Sequence, residues 1–407
     1  MRFINNLSEQ EYEEFTKKHA KSHFLQSFSW GTFCKRVKKQ IPHYVGMKDD
    51  NDSLVATALI LEKKTPLGYS YGYSPRGMLI DYDNKAHLKV FTKYLKEFMK
   101  EKKMIYIKFD PDIKYHDIDE EASPIENGEN NYELLEYMKS LGYLHKGFYK
   151  LYDGNQPRYT FRINLKKEWE DIEKTFNKSF SKSIRRSEQY NLIIDNEFKT
   201  AEFYNLIKQN SEKDGFDPHS LEFYQIFVEE MQKNGNVKFF NAQIRPQEYL
   251  EKISKEMSEL RKLLETSPKK QEDIKNKLTR LEKEKEEFSK ITDKEIIVCS
   301  LICTYTENRA WSLYIGNNEL GNLTFAVSRC YYEAIKDAYD RKLDFFDLFG
   351  TVGDPKTEYK NLAKLHDFKR KFGDEYLEFI GEFDLVNKQF LYKILPTLLK
   401  IYRKIRG

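Results

Sequence analysis

The chain has 407 residues, 40% hydrophobic and 33% charged, with 69 Lys+Arg against 65 Asp+Glu for a net charge of +4. That length predicts two or three domains, and 28 Tyr with 29 Phe furnish cores that a disordered chain lacks. Apolar runs such as Leu54 to Leu61 and Ile296 to Cys303 fall far short of the ~20 residues that span a bilayer, the N-terminus MRFINNLSEQEYEEF has no secretion-signal core, and four irregular cysteines (Cys34, Cys299, Cys303, Cys330) fit neither a disulfide framework nor a zinc site, so the expectation is a cytosolic, reduced, metal-free protein.

Ser8 followed by Glu11 has capping-box spacing and opens a helix through Tyr12, Phe15 and His19. FLQSFSWGTFCKRVKK reads as a short extended piece leading into a basic helix, followed by strands over His43–Met47 and Leu54–Leu61 and an extended Gly68–Tyr73. Asn84–Lys102 has helical spacing, Met104–Phe109 is an apolar strand ending on Asp110-Pro111, Asp112–Asn131 reads as a loop, and Tyr132–Leu141 as a helix. A second unit begins near Tyr159: strand Tyr159–Leu165, helix Lys167–Phe176, basic helix Lys178–Tyr190, strand Leu192–Phe198, helices Thr200–Glu212 and Ser220–Lys233, and strand Val237–Ile244. Beyond an insertion come a hairpin over Glu295–Tyr305 and Ala310–Ile315, a long helix Asn322–Arg341, strand Phe345–Phe349 with Asp347, and a last strand Tyr376–Leu385.

The two units share a cadence: an extended aromatic piece, a helix of about nineteen residues, then IYIKFDP in one and FFDLFG in the other. This predicts a duplicated α/β unit in which each half ends a strand on an acid at the mouth of a sheet. Between Pro246 and Thr292, Leu250, Ile253, Met257, Leu260 and Leu264 are spaced 3, 4, 3, 4, and Ile274, Leu278, Leu281, Lys285 and Phe288 are spaced 4, 3, 4, 3. Two heptad stripes around a turn at Thr266-Ser267-Pro268-Lys269-Lys270 predict an antiparallel coiled-coil hairpin grafted between two strands. Its 12 Lys/Arg and 11 Asp/Glu leave a solvated, nearly neutral outer face.

Several groups could carry chemistry. Lys178, Lys182, Arg185 and Arg186 form one positive helix face suited to a polyanion, against the plainer reading of a solvated surface. Lys35, Arg36, Lys38 and Lys39 crowd behind Trp30, and one of them could hold a phosphate. Asp110 at a strand end can take a proton from an amine or orient it, or simply cap the following turn; Asp347 is its symmetrical counterpart. In LHDFKRKFG, Lys369 could stabilise an oxyanion. The chain lacks G-x-x-x-x-G-K-[ST] and G-x-G-x-x-G, and neither long helix opens on a Gly-rich pyrophosphate loop. These absences weigh against nucleotide hydrolysis, Rossmann cofactors and coenzyme-A-dependent acyl transfer.

FLQSFSWGTFCK, YSPRGMLIDY, IYIKFDPD, the SKSIRR helix, FFDLFGTVGD and FKRKFGDEYLEFIGEFDL, in this order over nearly the whole chain, resemble the Fem family of non-ribosomal aminoacyltransferases that build peptidoglycan interpeptide bridges. The resemblance implies an α/β fold of two acetyltransferase-like (GNAT-like) subdomains, 1–152 and 153–245 with 293–385, with the coiled-coil arm at 246–292. The residues after Leu385, apolar at Phe390, Leu391, Ile394, Leu395, Leu398, Leu399, Tyr402 and Ile405 with Lys/Arg between, read as a C-terminal basic amphipathic helix (386–407) packed back on the first subdomain or touching a membrane. The resemblance also implies transfer of an amino acid (glycine, with alanine or serine as alternatives) from aminoacyl-tRNA to the stem-peptide amine of lipid II or its UDP-linked precursor, without cofactor or metal. The partners would be those two substrates, for a monomer or homodimer that is either cytoplasmic or peripheral at the inner membrane face.

By position, the resemblance makes Asp110 the acid–base or amine-orienting residue and Phe368-Lys369 the aromatic and cation beside the reacting carbonyl. Tyr314 and either Lys35 or Arg36 would contact precursor phosphate. Where one member type has an Arg and a Tyr, this chain has His219 and either Phe223 or Tyr224, a departure in the second half of the phosphate clamp. A coenzyme-A-dependent acyltransferase and a non-catalytic RNA-binding scaffold are the competing readings.

Overall fold

The computed structural model describes residues 1–65, 68–266, 270–373 and 375–406, apart from the side chains of 214, 398 and 400–406. The first half runs β1 (Arg2–Ile4), α1 (Glu9–Lys18), a 3-10 turn (Phe24–Gln26), α2 (Phe28–Lys38), β2 (Ile41–Lys48), β3 (Leu54–Lys64), β4 (Ser70–Ser74), β5 (Leu79–Ile80), α3 (Lys85–Glu101), β6 (Met104–Phe109), β7 (Lys114–Asp117), α4 (Tyr132–Ser140) and β8 (Tyr143–His145). The second half continues with β9 (Tyr159–Asn164), α5 (Trp169–Thr175), α6 (Lys178–Ser187), β10 (Ile193–Asp195), α7 (Thr200–Asp214), α8 (Leu221–Gln232), β11 (Val237–Ile244), α9 (Pro246–Thr266), α10 (Gln271–Ser289), β12 (Ile296–Tyr305) and β13 (Arg309–Asn317). It closes with α11 (Glu319–Leu323), α12 (Ala326–Asp340), β14 (Phe345–Asp347), α13 (Lys360–Lys369), β15 (Glu375–Phe379), β16 (Phe383–Val386) and α14 (Gln389–Arg406).

Two sheets result, one ordered β1-β2-β3-β4-β6-β16-β8 with β5 paired to β3, the other β10-β11-β12-β13-β14-β9-β15-β7. The repeated cadence has a structural counterpart: β4 pairs with β6 in parallel, as β13 does with β14, while the other described strand pairs are antiparallel. A parallel pair needs a crossover, supplied by α3 in the first half and by α11 and α12 in the second. The α3 crossover buries Leu88, Phe91, Leu95, Phe98 and Met99 on one stripe, and the Asn84 side chain caps it by accepting from the His87 N–H at 3.0 Å.

Three sequence expectations change. The expected long helix Asn322–Arg341 is broken because Phe325 adopts φ 59, so α11 ends and α12 restarts. The expected strand Tyr376–Leu385 turns at Gly381, φ 96, where the left-handed conformation suits glycine. Its two pieces enter different sheets: β15 pairs with β9, and β16 crosses to the first sheet between β6 and β8. In return β7, read as loop from its polar sequence, pairs with β15. Each half therefore lends the other a strand, and boundaries at 152 and 385 do not divide the sheets cleanly.

The hairpin arms are α9 and α10, with Ile253, Met257, Leu260, Ile274, Leu278, Leu281 and Phe288 buried between them. Of the expected turn, Ser267, Pro268 and Lys269 lie outside the described residues. Lys285 is exposed rather than in the seam, and Glu284 is buried in its stead because its carboxylate accepts hydrogen bonds from Tyr190 (2.9 Å) and Tyr249 (2.5 Å). That pair of tyrosines fastens the arm's base to the end of the basic segment after α6. At the other end of the chain, α14 lies on the first sheet, with Tyr392 edge-on to Tyr106 at 5.3 Å and its hydroxyl donating to Asp384 at 2.6 Å. Among the described residues no helix is long and apolar enough to cross a membrane.

The seam between the halves is ionic and buried. Asp112, just past β6, accepts from Arg162 of β9 at 2.9 and 3.0 Å and from Arg309 of β13 at 3.1 Å. Arg162 also donates to Asp347 at 2.8 Å. Burial alone would raise the Asp112 pKa, but the two guanidinium groups hold it far below the usual carboxylate range. Asp112→Asn should therefore cost about 3–5 kcal/mol in urea unfolding at pH 7, because it strands buried cations. A loss under about 1 kcal/mol would count against this role.

Candidate active site

Asp110 follows β6, beside the end of β4, where Ser74 pairs with Phe109. It is 3% exposed and both carboxylate oxygens are occupied: the Tyr73 hydroxyl donates at 2.7 Å and the Arg76 backbone N–H at 2.6 Å. Arg76 has φ 53, and its side chain leaves the carboxylate to donate to the Pro157 carbonyl at 2.6 Å, with the guanidinium 4.0 Å over Phe379. Buried Gln26 pins the same turn by donating to the Pro75 carbonyl at 2.6 Å. Burial pushes Asp110 up to about 6, with Arg76 and the Tyr73 hydroxyl only partly offsetting it. A carboxyl poised near neutrality is suited to passing protons.

Asp110 opens on a narrow cleft lined by Tyr149, Gln156, Arg158, Phe379 and Glu382, with room for about one water (≈ 10 Å³). The segment 149–157 closes this cleft, held by Asn155 N–H to Glu382 (2.5 Å) and by the Lys150 carbonyl, which accepts from the Gly353 N–H at 2.7 Å.

Lys369 ends α13 and is buried, its ammonium donating to the carbonyls of Phe349 and, at 2.7 Å, Gly350. Burial pushes it down to about 7, against the pull of Asp347. It does not line the Asp110 cleft. Pro157 links the two only indirectly: its carbonyl accepts from Arg76, whose backbone N–H donates to Asp110, and its ring packs by Gly350, whose carbonyl receives Lys369. An oxyanion role for Lys369 thus requires it to exchange a loop carbonyl for substrate oxygen. Phe368 packs on Tyr331 and Phe372, at 5.5 and 4.9 Å between ring centres. Asp347, the symmetrical candidate, is not available to substrate: Arg162, Thr160 and the Phe349 N–H occupy it.

The phosphate candidates divide. Arg36 is not free; its guanidinium joins α2 to α8 through Glu229 (2.7 Å) and Glu230 (2.5 Å), so two carboxylates already neutralise it. Lys35 is exposed. His219 stacks on Phe223 (3.8 Å), and Tyr224 packs edge-on to Tyr314 (5.3 Å), bringing α8 and β13 together. Partial burial, then the charge of Lys38, lowers the His219 pKa, while burial pushes Tyr224 up to about 12 and raises Tyr314. Lys38, 5.3 Å over the Trp30 ring, thereby joins this cluster in place of Arg36; a cation following an aromatic on one helix was its sequence signal.

On α6, Lys178, Lys182 and Arg185 are exposed and make no ion pair among the described residues, whereas Arg186 lies 4.4 Å over Phe325. The helix starts beside the other candidate site: the Asn177 N–H donates to the Lys371 carbonyl at 3.0 Å, and Phe180 packs on Phe372 at 4.3 Å.

A carboxyl with a raised pKa destabilises the fold once ionised. For Asp110, stability declines as pH rises from its ordinary 3.8 through about 6, and the full penalty, about 3 kcal/mol, applies above that. Asp110→Asn should therefore be more stable than the parent by ~1–3 kcal/mol at pH 7.5 in denaturant melts, with the difference fading below pH 4. Equal or lower stability at pH 7.5 would contradict the poised carboxyl.

The FemAB family profile matches residues 7–400. Lipid II:glycine glycyltransferase of Staphylococcus epidermidis is 26% identical over 434 residues, covering 99% of both chains. The proteins of the same name from Staphylococcus haemolyticus and Staphylococcus aureus are each 25% identical, covering 99% and 98% of this chain and 99% of their own. The crystal structure of FemX has the same fold, with a TM-score of 0.80 and 24% identity over 97% of this chain and 99% of FemX. With the profile spanning both sheets, the arm and most of α14, the chain belongs to the FemAB family.

Proposed function

We propose that the chain transfers glycine from aminoacyl-tRNA to the stem-peptide amine of lipid II, adding to the interpeptide bridge of peptidoglycan. The observation that carries this reading is end-to-end similarity to proteins named lipid II:glycine glycyltransferase; the poised Asp110 supports it chemically. An aminoacyl ester is already activated, so the remaining difficulty is the acceptor. Freeing a Lys-like amine of pKa ~10.4 at pH 7 costs about 4.6 kcal/mol. A carboxylate cannot supply this by attraction, which also favours the ammonium form. Asp110 instead aims the amine and receives its proton as the nitrogen attacks the ester carbonyl, while the carbon–oxygen bond to the tRNA breaks and the leaving hydroxyl takes up a proton. Holding two large substrates in line can contribute ~7–11 kcal/mol. Lys369, released from its loop carbonyls, stabilises the tetrahedral oxyanion.

The test is a transfer assay offering Gly-, Ala- and Ser-tRNA with lipid-linked and UDP-linked acceptors. Glycine on the lipid-linked acceptor is expected, and no transfer with any combination overturns the reading. Single-turnover rate should rise with a log slope near two below pH 6, because acceptor and Asp110 must both lose protons, and near one just above it. Asp110→Asn should leave a slope of one up to about pH 7, where Lys369 begins to lose its proton, and lower the rate less than Lys369→Ala does; the reverse order contradicts the weighting.

The free cations of α6 are assigned to the tRNA backbone. Replacing Lys178, Lys182 and Arg185 by Ala should raise the KM for charged tRNA at least ~10-fold with kcat little changed. It should also flatten the salt dependence by ~2–3 in log–log slope. An unchanged KM places the tRNA elsewhere.

A further inference from the structure

Residues 387–407 hold Lys388, Lys393, Lys400, Arg403, Lys404 and Arg406 and no Asp or Glu. The start of the helix they form is fixed on one side only. Leu395 is 4% exposed, and Tyr392 is held by Asp384 and by the Lys146 ammonium at 2.9 Å. Exposed Lys388, whose carbonyl accepts from the Tyr392 N–H one turn on, and exposed Lys393 are unpaired with any acid among the described residues, and Phe390, between them in sequence, is 74% exposed. Phe390 is the most exposed large hydrophobic side chain among the described residues. A lone exposed apolar residue needs no explanation. An exposed aromatic ring flanked in sequence by unpaired lysines, at the start of a helix bearing five cations and no acid, is the pattern of a helix that lies in an anionic bilayer surface.

We infer that α14 is a membrane-docking helix whose exposed Phe390 and Lys393, with exposed Lys388 just before the helix, seat on an anionic lipid surface. Its position matters for the site. Asp384, which holds Tyr392, shares the Lys108 ammonium (3.0 Å) with Glu382 (2.7 Å), and Glu382 lines the Asp110 cleft. Docking through α14 thus brings that cleft to the bilayer surface, where a lipid-borne acceptor would present its head group. An RNA strand would use the same cations and stack a base on the same ring, so binding of uncharged tRNA is measured beside binding to lipid. The inference rests on this surface and not on the proposed transfer, and its test is run without either substrate.

The full-length chain should co-sediment with acceptor-free phosphatidylglycerol/phosphatidylcholine vesicles and not with phosphatidylcholine alone, more weakly as salt rises. Lys388→Glu with Lys393→Glu should weaken this binding at least ~10-fold, Phe390→Ala should weaken it independently, and neither should alter binding of uncharged tRNA. Phe390→Trp, which keeps an aromatic ring, should add an emission component that shifts to the blue with the anionic vesicles only. Failure of the parent to bind anionic vesicles, binding that survives the charge reversal, no blue shift in the Phe390→Trp variant beyond that of the parent, or a loss confined to tRNA would each overturn the assignment. Because no acceptor is present, these outcomes stand whether or not glycyl transfer is found.

Discussion

Among the contacts that join the two halves, one buried carboxylate faces two guanidinium groups, and the geometry of the site follows from that contact. Asp112 lies two residues beyond Asp110, so whatever fixes Asp112 against Arg162 and Arg309 also fixes Asp110 at the seam. Arg162 extends the contact to Asp347, and Asp347 holds the Phe349 N–H at 2.8 Å, setting the loop whose carbonyls receive Lys369. A shift of one half on the other would break this chain at its centre. Buried charge pairs of this kind add little net stability over apolar packing, since both ions are first stripped of water. What they impose here is alignment: Pro157 stays between the Arg76 guanidinium and Gly350, and with it the spacing of Asp110 from Lys369.

The same physics assigns different roles to neighbouring acids. Asp112 and Asp110 are both buried beyond one strand, yet the first is held far below the carboxylate range and the second is pushed up to about 6. The difference is the orientation of arginines. Two point their heads at Asp112, whereas Arg76 offers Asp110 only its backbone N–H and sends its guanidinium to a carbonyl. Environments that drive adjacent titratable groups apart separate the structural acid from the one able to exchange a proton. Lys369 is the cationic counterpart, lowered to about 7 by burial with only carbonyls to receive it.

Features with a local period were legible in the sequence. The coiled-coil stripes apart from Lys285, the α3 helix, β6 and the capping box at Ser8 appear where spacing placed them. Features decided by distant partners were not. Nothing near Lys114 or Phe383 announces that β7 and β16 change sheets, because pairing depends on strands far along the chain. Asp347 looked equivalent to Asp110 because both end strands, and its neutralising arginine lies 185 residues away. Arg36 looked free because Glu229 and Glu230 enter only when α8 packs on α2, and Glu284 displaced Lys285 from the seam because Tyr190 and Tyr249 reach it in space.

A net charge of +4 on 134 ionised side chains says little about polyanions, so the informative quantity is which cations remain unpaired. On α6 three do, and α6 is tied at its first turn to the Lys371 carbonyl, two residues from Lys369. A nucleic acid bound along α6 would therefore approach the seam from the Lys369 side. The aromatic cluster of His219, Tyr224 and Tyr314 with Lys38 is reached from the other direction, through Trp30 and Phe24, whose rings lie 5.7 Å apart, and Gln26 links that turn to the Pro75 carbonyl beside Asp110. The two candidate anion sites thus connect to the seam through different segments. On the proposed reading, an ester carried by one polyanion and an amine carried by another then converge on the poised carboxyl and the lowered lysine. Segment 149–157 would have to lift for them to meet, since the closed cleft holds little more than a water.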